Sequence, residues 1–295
     1  RTLTLCGTHG TISQTLLGRL APVVADGDGV GDVVSVVKNG GGIWRLGGTN
    51  TYSGTTTVSN GMLIAGNAWA LGGTNGGAVV SGANSHLILY GPNLAVTNEP
   101  LDLVGGGHLG ILNGGTNTWA GAISLGAGGG SLDPRGGAGY LLRVNGLITG
   151  TGPMYVNDTT ARSVDGAVLL AAANTFQGET RIRSGTLRLG HALALQNSTL
   201  NLQAGDTGLI DFNGYDATLG GLAGARDLDM AGQTLSVGNN GSNTVYTGVL
   251  SAGALTKVGG GALTLGGSNT YSDATTVSGG RLIADTAGTL GNHHL

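Results

Sequence analysis

The stretch Lys257–Ala284, KVGGGALTLGGSNTYSDATTVSGGRLIA, has two earlier counterparts in the 295-residue chain. Val37–Ala65 reads VKNGGGIWRLGGTNTYSGTTTVSNGMLIA. From Asn50 and Asn269 onward the two run without a gap through Asn-Thr-Tyr-Ser and Thr-Val-Ser to Leu-Ile-Ala. A third copy, Asp165–Leu189, reads DGAVLLAAANTFQGETRIRSGTLRL with the same internal spacing. A unit this short cannot enclose its own apolar face, so it has to be covered by neighbouring units.

Within each copy the pattern is that of strands. Leu263 and Leu265 point one way and Thr264 the other, and Leu187 with Leu189, Leu200 with Leu202, and Leu235 with Val237 repeat the alternation. Gly-Gly, Asn-Gly and Ser-Gly pairs separate the runs, and Gly and Asn tolerate the positive φ of tight corners. An Asn-Thr-aromatic step recurs at Asn50-Thr51-Tyr52, Asn117-Thr118-Trp119, Asn174-Thr175-Phe176 and Asn269-Thr270-Tyr271, with a looser Asn243-Thr244-Val245-Tyr246. Its irregular spacing fits a solenoid whose coils vary in length better than equal propeller blades. Aromatics at 4% are too few for a sandwich core. The expected fold is all-β, a parallel β-helix of roughly 20–25 residues per coil. Apolar residues stack on like residues inside, and Asn residues form a ladder at successive corners. Residues 37–295 are read as this β-helix and 1–36 as an irregular N-terminal coil or cap, or as the start of the β-helix.

Composition narrows the function. Glycine is 61 of 295 residues and charged residues are 10%, against ordinary values near 7% and 25%. Mean hydropathy of +0.16 with a net charge of -3 argues against wholesale disorder. The 13 Lys and Arg are scattered, with no basic cluster for nucleic acid. No run approaches the roughly 18 apolar residues of a membrane-spanning helix. Cys6 stands alone, which rules out a disulfide framework within one chain. The opening at Arg1 without a signal peptide reads as a mature chain or a fragment.

The full unit Gly248–Tyr271, GVLSAGALTKVGGGALTLGGSNTY, closely resembles the autotransporter-associated β-strand repeat of type V secreted passengers in Gram-negative bacteria. Asp211–Leu222 and Ala231–Gly238 are similar to passenger sequence as well. The resemblance covers 37–66 and 165–295 well, 67–164 loosely and 1–36 hardly at all. It implies a right-handed β-helix exported to the cell surface or secreted, through an outer-membrane β-barrel translocator that this sequence does not include. A chain without disulfides suits that route, and a solenoid can fold by propagation from one end.

Sites of chemistry are faint. Asp26, Asp28 and Asp32 alternate as in a calcium loop but lack the later Glu, and read as a solvated acidic turn. Arg181 and Arg183, with Asn157 and Asp158, echo polysaccharide-cleaving β-helices; the alternation puts both arginines on a solvated outer face. Gly-x-Ser-x-Gly is absent. None of His9, His86, His108, His191, His293 and His294 has metal-site spacing. Gly40–Gly42, Gly105–Gly107 and Gly128–Gly130 lack the Lys-Ser/Thr of a phosphate loop and read as corners. Trp119 occupies the Tyr52 and Tyr271 position and reads as structural, whereas Trp44 and Trp69 are open to an adhesive role. No catalytic residue, metal or cofactor is assigned. The expectation is a non-enzymatic rod for adhesion or self-association, partnered by further copies of itself or by a host glycan or protein, and not by nucleic acid. The alternative is an inert stalk for a separate secreted hydrolase domain. An ice- or carbohydrate-surface binder using rows such as Thr55-Thr56-Thr57 is disfavoured by their irregularity.

Overall fold

The computed structural model of the chain describes residues 1–8, 18–20, 23–27, 29, 31–97, 99–158, 165–285 and 290–291. These residues form strands and turns with no helix. Every strand pairing is parallel, and the chain winds through about 11 turns as a β-solenoid. At about 4.8 Å per turn the column is on the order of 50 Å long.

The winding follows from the register. Val36 lies opposite Thr56, Thr56 opposite Ala78, Ala78 opposite Leu101, and Leu101 opposite Ile123. Each step is one coil of about twenty residues, as the repeat spacing requires. These strands belong to a seven-stranded sheet; a 16-stranded sheet, a six-stranded sheet and a two-stranded sheet of Leu228–Asp229 with Leu250–Ser251 make up the other walls. Thr2–Leu5 pairs with Ser35–Lys38, so the first residues lie on the seven-stranded face.

The long sheet forks at Ala217–Gly224. One end of this eight-residue strand continues into Thr234–Val237, the other into Thr244–Tyr246. Its partner Leu195–Leu202 carries a register shift between Leu195 and Thr199. Gly220 sits at the irregularity, where a Cβ would run into the Asn197 backbone.

Inward positions stack like on like. Leu63, Leu87, Leu109 and Leu132 form one column in the long sheet, and Leu142, Val168 and Leu187 another in the six-stranded sheet. All are buried. Full burial of such a side chain contributes about 1.5–3 kcal/mol, and the sum over the column opposes the ordering of a glycine-rich backbone.

The Asn-Thr-aromatic step is the corner device. Asn174 accepts from the Ile148 amide in the coil before it (2.8 Å) and donates to the Ala194 carbonyl in the coil after it (3.1 Å). Asn50 does the same between Val24 and Ala70. These asparagines therefore clamp backbone to backbone across three coils. The expected ladder of Asn side chains bonded to one another does not form, because the steps fall in separated coils and each amide is used up on main-chain groups.

Two residues on, Tyr52, Trp119, Phe176 and Tyr271 are all buried. Tyr52 Oη meets Thr56 Oγ1 at 2.6 Å, and Tyr271 meets Thr275 in the same way at 2.7 Å. Gly72 closes over the first ring: its φ is +88°, and a Cβ would stand 2.5 Å from Tyr52 O and 2.8 Å from the ring.

Lys38 and Lys257 hold equivalent inward positions and are fully buried. Their stems lie in the core while Nζ reaches corner carbonyls: Gly40 and Asn60 for Lys38, and Val258, Gly259 and Gly279 for Lys257. Burial lowers both ammonium groups from their ordinary range.

Candidate functional site

The chemically dense region lies on the outer face of the long sheet. The register sets His86 beside His108, His108 beside Ser131, Ser131 beside Tyr155, and Tyr155 beside Arg181. Two residues along the same strands, on the same face, Gly110 stands opposite Asp133. The missing side chain leaves room, since a Cβ at Gly110 would lie 2.8 Å from Asp133 O. His108, Ser131 and Asp133 are buried although they point away from the core.

Asp133 is the centre. His108 Nδ1 lies 2.7 Å from Oδ2, Arg135 Nη2 is 3.4 Å from the same oxygen, and Ser131 Oγ donates to Oδ1. The Asp158 amide, where the chain leaves Met154–Val156, points at Oδ1 from 3.3 Å and at Ser131 Oγ from 3.2 Å. Burial acts to raise the Asp133 carboxyl; the His108 hydrogen bond and charge, the Arg135 charge and the Ser131 hydrogen bond outweigh it and hold the group below the usual carboxylate range. A buried charge needs such a set of donors to persist.

The two imidazoles differ. His108 Nε2 faces the Ala83 carbonyl at 3.0 Å while Nδ1 faces Asp133, so both nitrogens meet acceptors. His86 Nδ1 lies 2.5 Å from Arg135 Nη2, and an arginine can only donate. Burial first, then the Arg135 and His108 charges, holds His86 down to about 3, which leaves Nδ1 free to accept. The rings are tilted by 41° with centroids 4.4 Å apart.

Further along the column, Arg183 pairs with Asp158 and its guanidinium covers the Tyr155 ring at 4.8 Å. Burial raises the Asp158 carboxyl, with Arg183 opposing. Arg181 holds Asp206 through two contacts of 2.9 and 3.1 Å. The expected outward placement of both arginines is observed, but they are engaged in ion pairs rather than freely solvated. Arg183 and Asp158 do come together as an ion pair. Ser131 donates to Asp133 and not to a histidine.

The remaining sequence candidates disperse. Asp26 accepts from the amides of Val34 and Ser53, Asp32 pairs with Arg1 at 3.3 Å, and Asp28 lies outside the described residues. His9, His293 and His294 also lie outside them. His191 binds the Leu193 amide of its own turn. Trp119 is buried, Trp44 donates to the Cys6 carbonyl at 2.9 Å, and Trp69 is 54% exposed. Among the described residues no helix is long and apolar enough to cross a membrane.

The fold is a repeat-built parallel solenoid with an asparagine clamp and a buried aromatic at its corners. The Passenger-associated-transport-repeat family matches residues 36–65, 165–189 and 255–284, so the chain carries the repeats of autotransporter passengers. It is similar to the "Adhesin BmaC autotransporter" of Brucella suis biovar 1 (strain 1330), 34% identical over 246 residues, covering 80% of this chain and 6% of that protein. It is also similar to the "Uncharacterized protein YuaQ" of Escherichia coli (strain K12), 30% identical over 213 residues, covering 69% of this chain and 15% of that one. The chain thus spans only a small part of the relatives it matches. No solved structure matches it. Passenger sequences of this kind are exported through the outer membrane to the cell surface or released.

Proposed function

We propose that this chain is a non-enzymatic section of a surface rod that carries adhesion or self-association of Gram-negative cells, exported in the full protein by a C-terminal outer-membrane β-barrel. The observation that supports it is the outer column of the seven-stranded sheet. Thr4, Val37, Thr57, Val79, Asp102, Ser124 and Thr149 follow one another coil by coil, and only Asp102 among them is charged. Such a face offers small, evenly spaced groups to a like face or a glycan, with strength from many weak contacts in parallel. The printed name of the Brucella relative, an adhesin, points the same way. The test is a clumping and attachment assay on cells displaying the passenger. Thr57→Glu with Ser124→Glu should abolish clumping while far-UV ellipticity stays unchanged. Clumping and attachment equal with and without the wild-type passenger would refute the reading.

A further inference from the structure

We propose that His86, His108 and Asp133 form a binding site for one divalent transition metal of the imidazole-preferring class, such as Zn²⁺, which Arg135 closes in the metal-free chain. One donor atom from each of the three residues lies within 4.8 Å of the other two. Two imidazoles and a carboxylate are the ligand set that such ions select, with a water completing four-coordination.

The surroundings are those of a held ligand set. His108 Nε2 is fixed by the Ala83 carbonyl at 3.0 Å, which aims Nδ1 at the centre. Asp133 Oδ1 is fixed by Ser131 Oγ and the Asp158 amide, which leaves Oδ2 to face the two rings. Outer hydrogen bonds of this kind orient ligands and raise affinity in metal sites.

Arg135 marks where the cation sits. Its Nη2 is 2.5 Å from His86 Nδ1 and 3.4 Å from Asp133 Oδ2, so a positive group already lies between the proposed ligands. The arginine opens a glycine-rich loop, Gly136–Gly139: a Cβ at Gly136 would run into the Tyr140 ring, whereas one at Gly137 or Gly139 would meet nothing within 4 Å. That loop is lightly packed on at least those sides and can swing the guanidinium outward. The metal would then replace Nη2 at His86, and replace the proton shared between His108 Nδ1 and Asp133 Oδ2.

The experiment titrates the 295-residue chain, carrying His293→Ala and His294→Ala to remove a tail contribution, with Co²⁺ and reads the d–d absorption, followed by Zn²⁺ competition. The expected result is a saturable single site that Zn²⁺ displaces. His86→Ala should weaken it about tenfold or more through loss of a ligand, and Arg135→Gln should tighten it about tenfold or more by removing the competing charge. Far-UV circular dichroism verifies that each variant is folded, with Arg135→Ala as the alternative should the glutamine variant fail. No binding by the wild-type background, binding indifferent to His86→Ala, or no gain on losing Arg135 would each overturn the proposal.

Discussion

Replacing Asn174 by Ala removes both arms of a clamp that joins three coils. The Ile148 amide loses its acceptor at 2.8 Å and the Ala194 carbonyl its donor at 3.1 Å, and both bonds lie in buried surroundings. The Ile148 carbonyl stays satisfied, since the Thr175 amide reaches it at 2.9 Å. A buried polar group left without a partner costs about 1–3 kcal/mol, so two of them cost about 2–6 kcal/mol. A solenoid transmits such a loss to its neighbours alone, and the effect should be local before it is global. Amide hydrogen exchange read residue by residue is therefore the assay, with urea unfolding followed by far-UV ellipticity beside it. Protection at Ile148 should fall by about two orders of magnitude or more, while Leu263 and Leu265, several coils away, change little. A loss below about 0.5 kcal/mol, the level of an ordinary surface substitution, would refute the clamp.

Two further outcomes follow from single residues. Glu99 is 2% exposed, its Oε1 has no partner, and burial pushes its carboxyl up to about 7. Between about pH 4.5 and 7 the unfolded chain has released this proton and the folded chain keeps it, so stability falls as pH rises through that window. Glu99→Gln should match the wild type at pH 4 and exceed it by about 3 kcal/mol above pH 7 in urea unfolding; equal stability at both pH values would contradict this. Gly72→Ala places a methyl group against Tyr52 at a φ of +88°, and should cost about 2 kcal/mol or more in stability, seen as a lower Tm.

The sequence carries the column more fully than it carries the polar ladder. Period-2 alternation in Leu187–Leu189 and Leu263–Leu265, with glycine corners between runs, is enough to specify inward and outward faces, and those faces are as expected. The repeat of Asn-Thr-aromatic steps marks the corners, but not whom the asparagines bond. Successive coils, not successive asparagines, are the neighbours that matter. His86 and His108 escape notice because spacing rules for metal ligands assume a helix or a tight turn. In a solenoid the relevant spacing is one coil, and the pair stands one above the other across adjacent strands. The buried Lys38 and Lys257 had a legible signal: each sits at an inward position, before the glycine triplets Gly40–Gly42 and Gly259–Gly261. Lysine is ordinarily placed outside, and only the ring of corner carbonyls makes the inward place tenable.

The central claim is that each turn of backbone lies directly on the turn before it. Thr4, Val37, Thr57, Val79, Asp102, Ser124 and Thr149 occupy one column in register. In a Cys6→Ser background, paired cysteines carrying spin labels can be placed at Thr149 with Thr57, Val37 or Thr4 in turn. Pulsed electron-spin resonance should give narrow distances near about 19, 24 and 29 Å, rising by one strand spacing per coil. Distances that do not climb in that order, or a broad distribution for all three pairs, would contradict the stacked column.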